Sequence, residues 1–240
     1  MIINTLTDKV IFITGGSKGI GLGIAEQAAL QGMRICITSR HGIELNAAVE
    51  KLKAMGAHDV LGLVCDVRDP SSMDGVTKEM LGKWGTIDVV IANAGVGHFE
   101  AIDNMTLETW NEVIDTNLTG VFITVKAVVE ALKKSKGYLI TIASLAGTNF
   151  FAKGAAYNAS KFGLVGFTQA VMLDLRKYEV KVTTIMPGSV ATYFNDHIPD
   201  ENDSWKIQPE DIGQLVIDLL NLHPRTLPSK IEIRPSIVKE

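Results

Sequence analysis

Apolar residues along the chain follow two different spacings. Short runs of consecutive apolar residues, typical of buried strands, alternate with longer stretches in which apolar positions recur every three or four residues, typical of helices. The short runs predict strands at residues 10–13, 34–38, 60–64, 88–92, 139–143, 182–186 and 231–233. The longer stretches predict helices at residues 20–30, 43–55, 70–84, 106–134, 155–170 and 209–222.

This regular alternation indicates a parallel sheet with helices on both of its faces. No linker, repeat or low-complexity tract interrupts the 240 residues, so residues 1–240 are expected to form one domain. The predicted class is α/β, with a doubly wound, seven-stranded parallel sheet. Ligands of such sheets bind at the carboxyl ends of the strands. The residues that follow strands at this edge are Gly15, Arg40, Asp66, Asn93, Ser144 and Pro187.

Composition and charge exclude several classes of partner. The net charge is −4 and no basic run is present, so nucleic acid is not expected as a partner. No uncharged apolar run reaches the roughly 18 residues of a membrane span, and residues 1–8 lack the pattern of a signal peptide. The five histidines and two cysteines show no metal-ligand spacing, so we expect no metal. Cys36 and Cys65 are expected to be buried free thiols, typical of a cytoplasmic protein.

A glycine-rich turn follows the first predicted strand. Gly15, Gly19 and Gly21 connect this strand to helix 20–30 in the spacing Gly-x-x-x-Gly-x-Gly. Glycine lets the backbone approach a pyrophosphate closely, and a helix N-terminus presents free N–H groups and the positive end of its dipole. A tight turn without a ligand would contain the same glycines, but the flanking strand and helix favour a nucleotide-binding βα unit.

Tyr157 and Lys161 form a candidate acid–base pair. Because they are four residues apart in a predicted helix, they lie on one face, one turn from each other. A nearby ammonium group favours the phenolate and so lowers the pKa of tyrosine from its ordinary value of about 10. Ser144, at the end of the fifth predicted strand, offers a second hydroxyl group. The alternative interpretation is a solvated lysine beside an aromatic residue, because this spacing also occurs by chance.

The motifs together resemble those of the short-chain dehydrogenase/reductase family, over nearly the whole chain. Each motif is weakly specific alone, and their joint presence in this order is highly specific. They are Thr14-Gly15-x-x-x-Gly19-Ile20-Gly21, Asn93-Ala94-Gly95, Asn117, Ser144, Tyr157-x-x-x-Lys161 and Pro187-Gly188. The resemblance implies a single-domain Rossmann fold and an enzyme that transfers a hydride between NAD(P)(H) and a carbonyl or alcohol.

The resemblance also implies a role for individual residues. Tyr157 is expected to be the general acid or base, Lys161 to lower its pKa and bind the nicotinamide ribose, and Ser144 to orient the substrate oxygen. Asn117, inside predicted helix 106–134, is expected to hold a water that links Lys161 to solvent. The implied cofactor-binding residues are Gly15, Ser17, Lys18, Gly19, Ile20, Gly21, Ser39, Arg40, Asp66, Val67, Asn93, Ala94, Gly95, Tyr157, Lys161, Pro187, Gly188, Val190 and Thr192.

The end of the second predicted strand indicates which nicotinamide cofactor is bound. A protein that prefers NAD normally has Asp or Glu there, which accepts hydrogen bonds from the ribose hydroxyls. This chain has Ser39 and Arg40 instead, and Lys18 of the glycine turn can approach the same position. Two cations attract the 2′-phosphate, so NADP(H) is the expected cofactor. Solvated surface cations are the alternative interpretation.

The substrate is less well defined than the cofactor. Residues 189–208 are expected to form a lid, and residues 189–205 contain four acidic residues and no Lys or Arg. The chain resembles the 3-oxoacyl-(acyl-carrier-protein) reductases, but it lacks their usual Gly-Gly pair after the last strand, and an acidic lid suits an acidic carrier protein poorly. We therefore expect a small carbonyl or alcohol substrate, with an acyl-carrier substrate as the alternative. A non-catalytic NADP sensor is disfavoured because Tyr157 and Lys161 are both present.

Two predicted helices also bear on assembly. Helix 106–134 and the helix that carries Tyr157 have apolar residues around much of their circumference. One side of each helix packs on the sheet, and the other needs a second cover. We therefore expect a homodimer or homotetramer built on these helices, although cover by the chain's own loops is an alternative.

Overall fold

The computed structural model describes residues 6–237, apart from the side chain of Asp196, and seven strands within this range form one parallel sheet. The strand order is β3-β2-β1-β4-β5-β6-β7, so the direction of winding reverses between β1 and β4. The strands are β1 (Val10–Thr14), β2 (Arg34–Ser39), β3 (Val60–Val64), β4 (Val89–Ala92), β5 (Tyr138–Ile142), β6 (Lys181–Pro187) and β7 (Lys230–Ile233). This arrangement confirms the predicted doubly wound sheet, and ligands of such sheets bind where the winding reverses.

Helices cover both faces of the sheet, each over its own apolar core. Successive residues of a strand point to opposite faces, so Ile11 and Ile13 belong to one core while Phe12 belongs to the other. Helices α1, α2 and α7 pack on the first face and α3, α5 and α6 on the second. The helices are α1 (Gly19–Leu30), α2 (Gly42–Ala54), α3 (Pro70–Trp84), α4 (Leu107–Ile114), α5 (Gly120–Ser135), α6 (Ala155–Leu175) and α7 (Pro209–Asn221).

Local sequence signals account for where several helices begin and end. Asp69 accepts a hydrogen bond from the backbone N of Ser71 at 2.9 Å, and Pro70 occupies the first position of α3. Gly85 ends α3 in the left-handed conformation, with φ of 73°. Thr106 caps α4 by accepting from the backbone N of Thr109. Asp69 and Thr106 thus lie within one residue of the predicted starts of these two helices, and Gly85 directly follows the predicted end of α3.

The predicted single helix 106–134 is wrong in one respect. The structure divides it into α4 and α5, with a π-helical turn, Asp115–Thr119, between them. Such turns insert an extra residue into a helix and are frequent at functional sites. The inserted turn contains Asn117, whose side chain is buried and bonded to a neighbouring loop. The π-helical turn with the buried, hydrogen-bonded Asn117 therefore interrupts the helix that the apolar spacing predicts to be continuous.

Candidate active site

A cleft of about 1110 Å³ opens at the carboxyl edge of the sheet, where the sequence predicts the site. Gly21 and Asn117 are buried behind its wall, and the other predicted site residues line it. Those lining residues are Gly15, Ser17, Lys18, Gly19, Ile20, Ser39, Arg40, Asp66, Val67, Asn93, Ala94, Gly95, Ser144, Tyr157, Lys161, Pro187, Gly188, Val190 and Thr192. The structure thus brings residues from many separate segments to one cavity.

The glycine turn forms a close-fitting floor at one end of the cleft. Gly15 has φ of 65°, and a Cβ atom there would lie 2.9 Å from the Cα of Ala94. A Cβ at Gly21 would lie 2.3 Å from the backbone O of Gly15, so only glycine fits. No side chain caps the start of α1 at Gly19, which leaves its first N–H groups free to bind an anion. This floor fits a pyrophosphate.

Asn93 and Thr14 join the ends of β4 and β1 beneath this floor. Asn93 Nδ2 donates to the backbone O of Thr14 at 2.9 Å and of Gly15 at 3.0 Å. Thr14 Oγ1 accepts from the backbone N of Asn93 at 3.0 Å and of Ala94 at 3.1 Å. These bonds hold the point at which the winding of the sheet reverses. Thr14 received no role of its own from the sequence, although it begins the glycine motif.

The cations expected to bind a 2′-phosphate line the same cleft. Arg40 is exposed and forms no ion pair with any of the carboxylates that the structure describes, which exclude Asp196. Lys18 Nζ lies 3.7 Å from Glu44 Oε2, and both side chains are about half exposed. The nearby Asp66 is bonded to Arg68, with 2.6 Å between Oδ2 and Nη2, and this hydrogen bond lowers the pKa of Asp66. Its negative charge is therefore compensated, and this end of the cleft is open to an anion.

Tyr157 and Lys161 lie together at the other part of the cleft, on α6. Lys161 Nζ is 5.6 Å from the centre of the Tyr157 ring and donates to the backbone O of Ile142 at 3.0 Å. Burial raises the pKa of Tyr157 to about 12, opposed by a hydrogen bond with Ser144. Burial also lowers the pKa of Lys161 to about 8. The lowering of the Tyr157 pKa by Lys161 stays a prediction, since in the protein alone burial favours the neutral form of both groups.

Asn117 is held by three hydrogen bonds in the π-helical turn. Its Oδ1 accepts from the backbone N of Val96 at 2.8 Å, and its Nδ2 donates to the backbone O of Val96 at 2.9 Å. Nδ2 also donates to Ser160 Oγ at 3.1 Å, and Ser160 Oγ donates to the backbone O of Tyr157 at 2.7 Å. Asn117 thus connects the loop after β4 with the first turns of α6.

Asn158, which the sequence did not identify, fixes the loop between β5 and α6. Its Nδ2 donates to the backbone O of Ala146 and of Asn149, both at 2.8 Å. Its Oδ1 accepts from the backbone N of Phe151 at 3.4 Å. Ser144, which caps the turn Leu145–Gly147, belongs to the same loop. The amide next to Tyr157 in the motif Tyr-Asn-Ala-Ser-Lys was the available signal for this role.

The segment predicted to be a lid covers Tyr157 with an aromatic ring. The centres of the Phe194 and Tyr157 rings are 5.5 Å apart. Val190 and Ile207 form a β-bridge at the base of the segment. Within it, Asp203 bonds to His197 and to Lys206, and these contacts lower the pKa of Asp203 to about 2. The segment is therefore folded and internally bonded over the site.

Two features concern metals and membranes. Among the side chains that the structure describes, which exclude Asp196, no group of three or more His, Cys, Asp or Glu is arranged to hold a metal ion. In the same part of the chain, no helix combines the length and apolar character needed to cross a membrane.

Cys36 and Cys65 are both buried free thiols, as expected.

Comparison with known proteins agrees with this geometry. A family model described as short chain dehydrogenase matches residues 9–203. The chain is 35% identical to a putative ketoacyl reductase of granaticin polyketide synthase from Streptomyces violaceoruber, over 86% of this chain and 77% of that protein. It is 32% identical to the 3-oxoacyl-(acyl-carrier-protein) reductase of Escherichia coli, over 86% and 84%. A metagenomic short-chain oxidoreductase solved in complex with NADP has a TM-score of 0.86 and 31% identity, covering 98% of this chain and 100% of that one.

Proposed function

Because this chain belongs to the short chain dehydrogenase family, we propose that it is an oxidoreductase that transfers a hydride between NADP(H) and the carbonyl or secondary alcohol of a small free substrate. The observation that carries the proposal is the division of one cleft into two parts. Tyr157, Lys161 and Ser144 meet in one part, while the uncapped start of α1 and the free Arg40 form the other. One part supplies a proton donor, and the other binds an anionic cofactor.

The residues of the second part fit NADP(H). The glycine floor accommodates the pyrophosphate because side chains at Gly15 and Gly21 would fill it. Arg40 and Lys18 would bind the 2′-phosphate through charge-assisted hydrogen bonds. When bound, the cofactor supplies or accepts the hydride, and the protein orients the reactants and handles the proton.

Tyr157 is the proposed proton donor during carbonyl reduction. With the pKa of Tyr157 raised to about 12, the hydroxyl group remains protonated at neutral pH and can donate to the carbonyl oxygen as negative charge develops there. Ser144 offers a second hydroxyl group to the same oxygen. Phe194 packs against the Tyr157 ring, and exclusion of water by this ring would strengthen both hydrogen bonds.

Lys161 and Asn117 are proposed to support this proton transfer. The bond from Lys161 to Ile142 holds the ammonium group near the Tyr157 ring. The Nδ2 group of Asn117 already makes both of its possible bonds, while Oδ1 has the capacity to accept one more. A water held by this oxygen would continue the proposed route from Lys161 to solvent.

A second candidate function is reduction of a ketoacyl group on an acyl carrier protein. Two of the relatives described above are ketoacyl reductases, which favours it. Acidic residues of the lid, among them Glu201, are exposed and would repel an acidic carrier. We therefore prefer the small free substrate.

We further propose a homodimer or homotetramer in the cytoplasm. Phe122 of α5 and Phe162 and Leu173 of α6 are substantially exposed, and the Phe122 and Phe167 rings are 6.4 Å apart. A partner copy covering this surface would remove the apolar area from water. Sedimentation at micromolar concentration tests the assembly, and a particle with the mass of one chain contradicts it. The two free thiols support the reducing compartment.

The proposed activity is tested with a panel of ketones, aldehydes, sugars and acyl thioesters in the presence of NADPH. Oxidation of NADPH is followed by its absorbance. We expect turnover of small ketones or aldehydes above the rate with acyl-carrier thioesters. Tight NADPH binding with no turnover of any compound would instead support a nucleotide-sensing protein.

A further inference from the structure

Three phenylalanine side chains from different segments form an aromatic cluster with Tyr157, in which Phe99 and Phe194 contact the Tyr157 ring and Phe151 contacts Phe99. The Phe99 ring lies 5.4 Å from the Tyr157 ring and 5.5 Å from the Phe151 ring, centre to centre, in both cases edge to face. The Phe194 ring lies 5.5 Å from Tyr157 and 6.2 Å from Phe99. All three phenylalanines line the cleft and are partly exposed. A substrate whose oxygen reaches the Tyr157 hydroxyl must place its substituent among these rings.

The observed position of the Phe194 ring depends on the absence of a side chain at Gly97, because a larger residue there would displace the ring. A Cβ atom at Gly97 would lie 2.3 Å from two atoms of the Phe194 ring. Asn195, the next residue, has φ of 56°, a left-handed conformation that Asn adopts more readily than most residues. The sharp turn directs the Phe194 ring toward Phe99 and Tyr157.

Cationic and titratable side chains on the wall of the cleft around the lid and β7 lie beside carboxylates. Four such groups each have an acidic partner, which disfavours binding of a carboxylate or phosphate of the substrate at this wall, and the buried Lys161 donates to the backbone O of Ile142. The pairs are His98–Glu112 at 3.1 Å, His197–Asp203 at 2.5 Å, Lys206–Asp203 at 2.6 Å and Arg234–Glu232 at 3.1 Å. The free Arg40, by contrast, lies at the end of β2.

We propose that the substrate is an uncharged carbonyl compound with an apolar, ring-sized substituent, and that Phe194 determines this preference. The inference rests on the proposed function and adds the substrate class to it. The substituent packs against Phe99, Phe151 and Phe194. Aromatic pairs prefer such edge-to-face contacts and gain from them beyond the burial of apolar area.

Three related ketones separate the contributions of ring and charge. Ethyl benzoylformate is uncharged and has a phenyl ring, ethyl pyruvate lacks the ring, and benzoylformate keeps the ring but carries a negative charge. We expect kcat/KM for ethyl benzoylformate to exceed each of the other two by about tenfold or more. A higher kcat/KM for benzoylformate than for its ester would overturn the claim that the substrate is uncharged. Equal kcat/KM values for the two esters would overturn the claim that its substituent is ring-sized.

Two substitutions in the lid test the role of Phe194. Phe194→Ala should reduce the ratio between ethyl benzoylformate and ethyl pyruvate by about threefold to tenfold, the factor that one aromatic pair supplies. Ile198→Ala is the matched control, because Ile198 belongs to the same segment, is 74% exposed and lies outside the cleft wall; it should leave the ratio unchanged. Phe194→Leu should give an intermediate ratio. A ratio unaffected by Phe194→Ala, or altered equally by Ile198→Ala, overturns the assignment.

Binding to an inactive variant separates this inference from the proposed function. Tyr157→Phe keeps the ring, so its affinity for ethyl benzoylformate, measured by calorimetry in the presence of NADP, reports on the three phenylalanines without turnover. If the wild-type protein reduces none of the ketones but Tyr157→Phe binds this ester more tightly than ethyl pyruvate, the proposed function fails, while the preference of the site for an uncharged ligand with a ring-sized apolar group stands. If other ketones are reduced and Tyr157→Phe shows no preference for the ring, the inference fails and the function stands.

Discussion

Asn117 Nδ2 donates a hydrogen bond to Ser160 Oγ at 3.1 Å, joining the π-helical turn to the helix that carries the proposed proton donor. Ser160 in turn connects to Tyr157, because its Oγ donates to the backbone O of Tyr157 at 2.7 Å. Asn117 and Ser160 are almost completely buried. The position of Tyr157 therefore depends on a polar contact between two helices as well as on apolar packing.

Replacing Asn117 with Ala should both destabilise the protein and lower its activity. The substitution leaves the backbone N and O of Val96 and the hydroxyl of Ser160 without their partner, so we expect a loss of about 2–4 kcal/mol in the free energy of unfolding. Urea denaturation measures this loss. Asn111→Ala is the control, because Asn111 is an exposed residue of α4 and its loss should change stability by less than about 0.5 kcal/mol. Equal effects of the two substitutions would contradict the role of Asn117.

The fold was predictable because local spacing and global packing agree along most of the chain. Each apolar run forms a strand: the five inner strands are buried, and the edge strands β3 and β7 are partly exposed. Asp69 and Thr106 cap their helices in the structure. The π-helical turn was not predictable, since the bonds that stabilise it join Asn117 to Val96, 21 residues away. Periodicity reports only on neighbours in sequence, and apolar spacing continues through the turn.

The candidate active site was likewise only partly predictable from the sequence. Motif spacing identified Tyr157 and Lys161, but the direction of their pKa shifts depends on burial by other segments. The acidic residues of the lid led us to expect a polar segment, while the lid residue whose ring contacts Tyr157 is Phe194. Phe99 is likewise an isolated aromatic residue in the sequence. Only the tertiary structure brings these rings together.

Replacing Tyr157 with Phe should abolish turnover while leaving the affinity for NADPH close to that of the wild type. The ring and its packing remain, and only the exchangeable proton is lost. Lys161→Ala should reduce both quantities, because it removes the neighbouring ammonium group and a proposed cofactor contact. Steady-state kinetics and NADPH fluorescence titration measure the two effects. A Phe variant that keeps more than a few per cent of activity would show that Tyr157 is not the acid.

Burial of Lys161 predicts a pH dependence of stability. The pKa of Lys161 is about 8 in the folded protein and about 10.4 in an unfolded chain, so between these values the unfolded state binds the extra proton. The free energy of unfolding should therefore rise with pH, by about 2 kcal/mol from pH 7.5 to 9.5. Lys161→Met should remove this rise, and Lys134→Met, at an exposed position of α5, should keep it. Denaturation at several pH values tests this, and a rise that survives in Lys161→Met contradicts it.

The bonds of Asp203 should control opening of the lid. Asp203→Asn weakens the contacts with His197 and Lys206, so proteases should cleave residues 195–204 several times faster than in the wild type. Glu201→Gln, which alters an exposed carboxylate of the same turn, is the control and should have little effect. Substrate should protect the wild-type segment. Mass spectrometry of the fragments measures the rates, and equal cleavage with and without substrate would count against a lid.

The charges of Arg40, Lys18 and Glu44 lead us to predict that the protein binds NADP(H) in preference to NAD(H). Arg40 is free to bind the 2′-phosphate, whereas Lys18 is shared with Glu44 at 3.7 Å. Each well-formed charge-assisted bond contributes roughly 1.5–3 kcal/mol, so both cations together give a preference of about a hundredfold or more for NADP(H). Because the contacts are exposed, added salt should weaken the preference.

Substitutions at these positions change the preference in opposite directions. Arg40→Asp replaces the cation with a carboxylate that repels the phosphate and accepts hydrogen bonds from ribose hydroxyls, so the preference should shift toward NAD(H). Glu44→Gln releases Lys18 and should tighten NADPH binding by a few-fold with little effect on NADH. Arg225→Asp makes the same charge change at an exposed residue outside the cleft and should leave the ratio unchanged. Fluorescence titration with both cofactors decides the matter, since equal affinities in the wild type, or tighter binding of NADH, would show that Arg40 and Lys18 do not bind the phosphate.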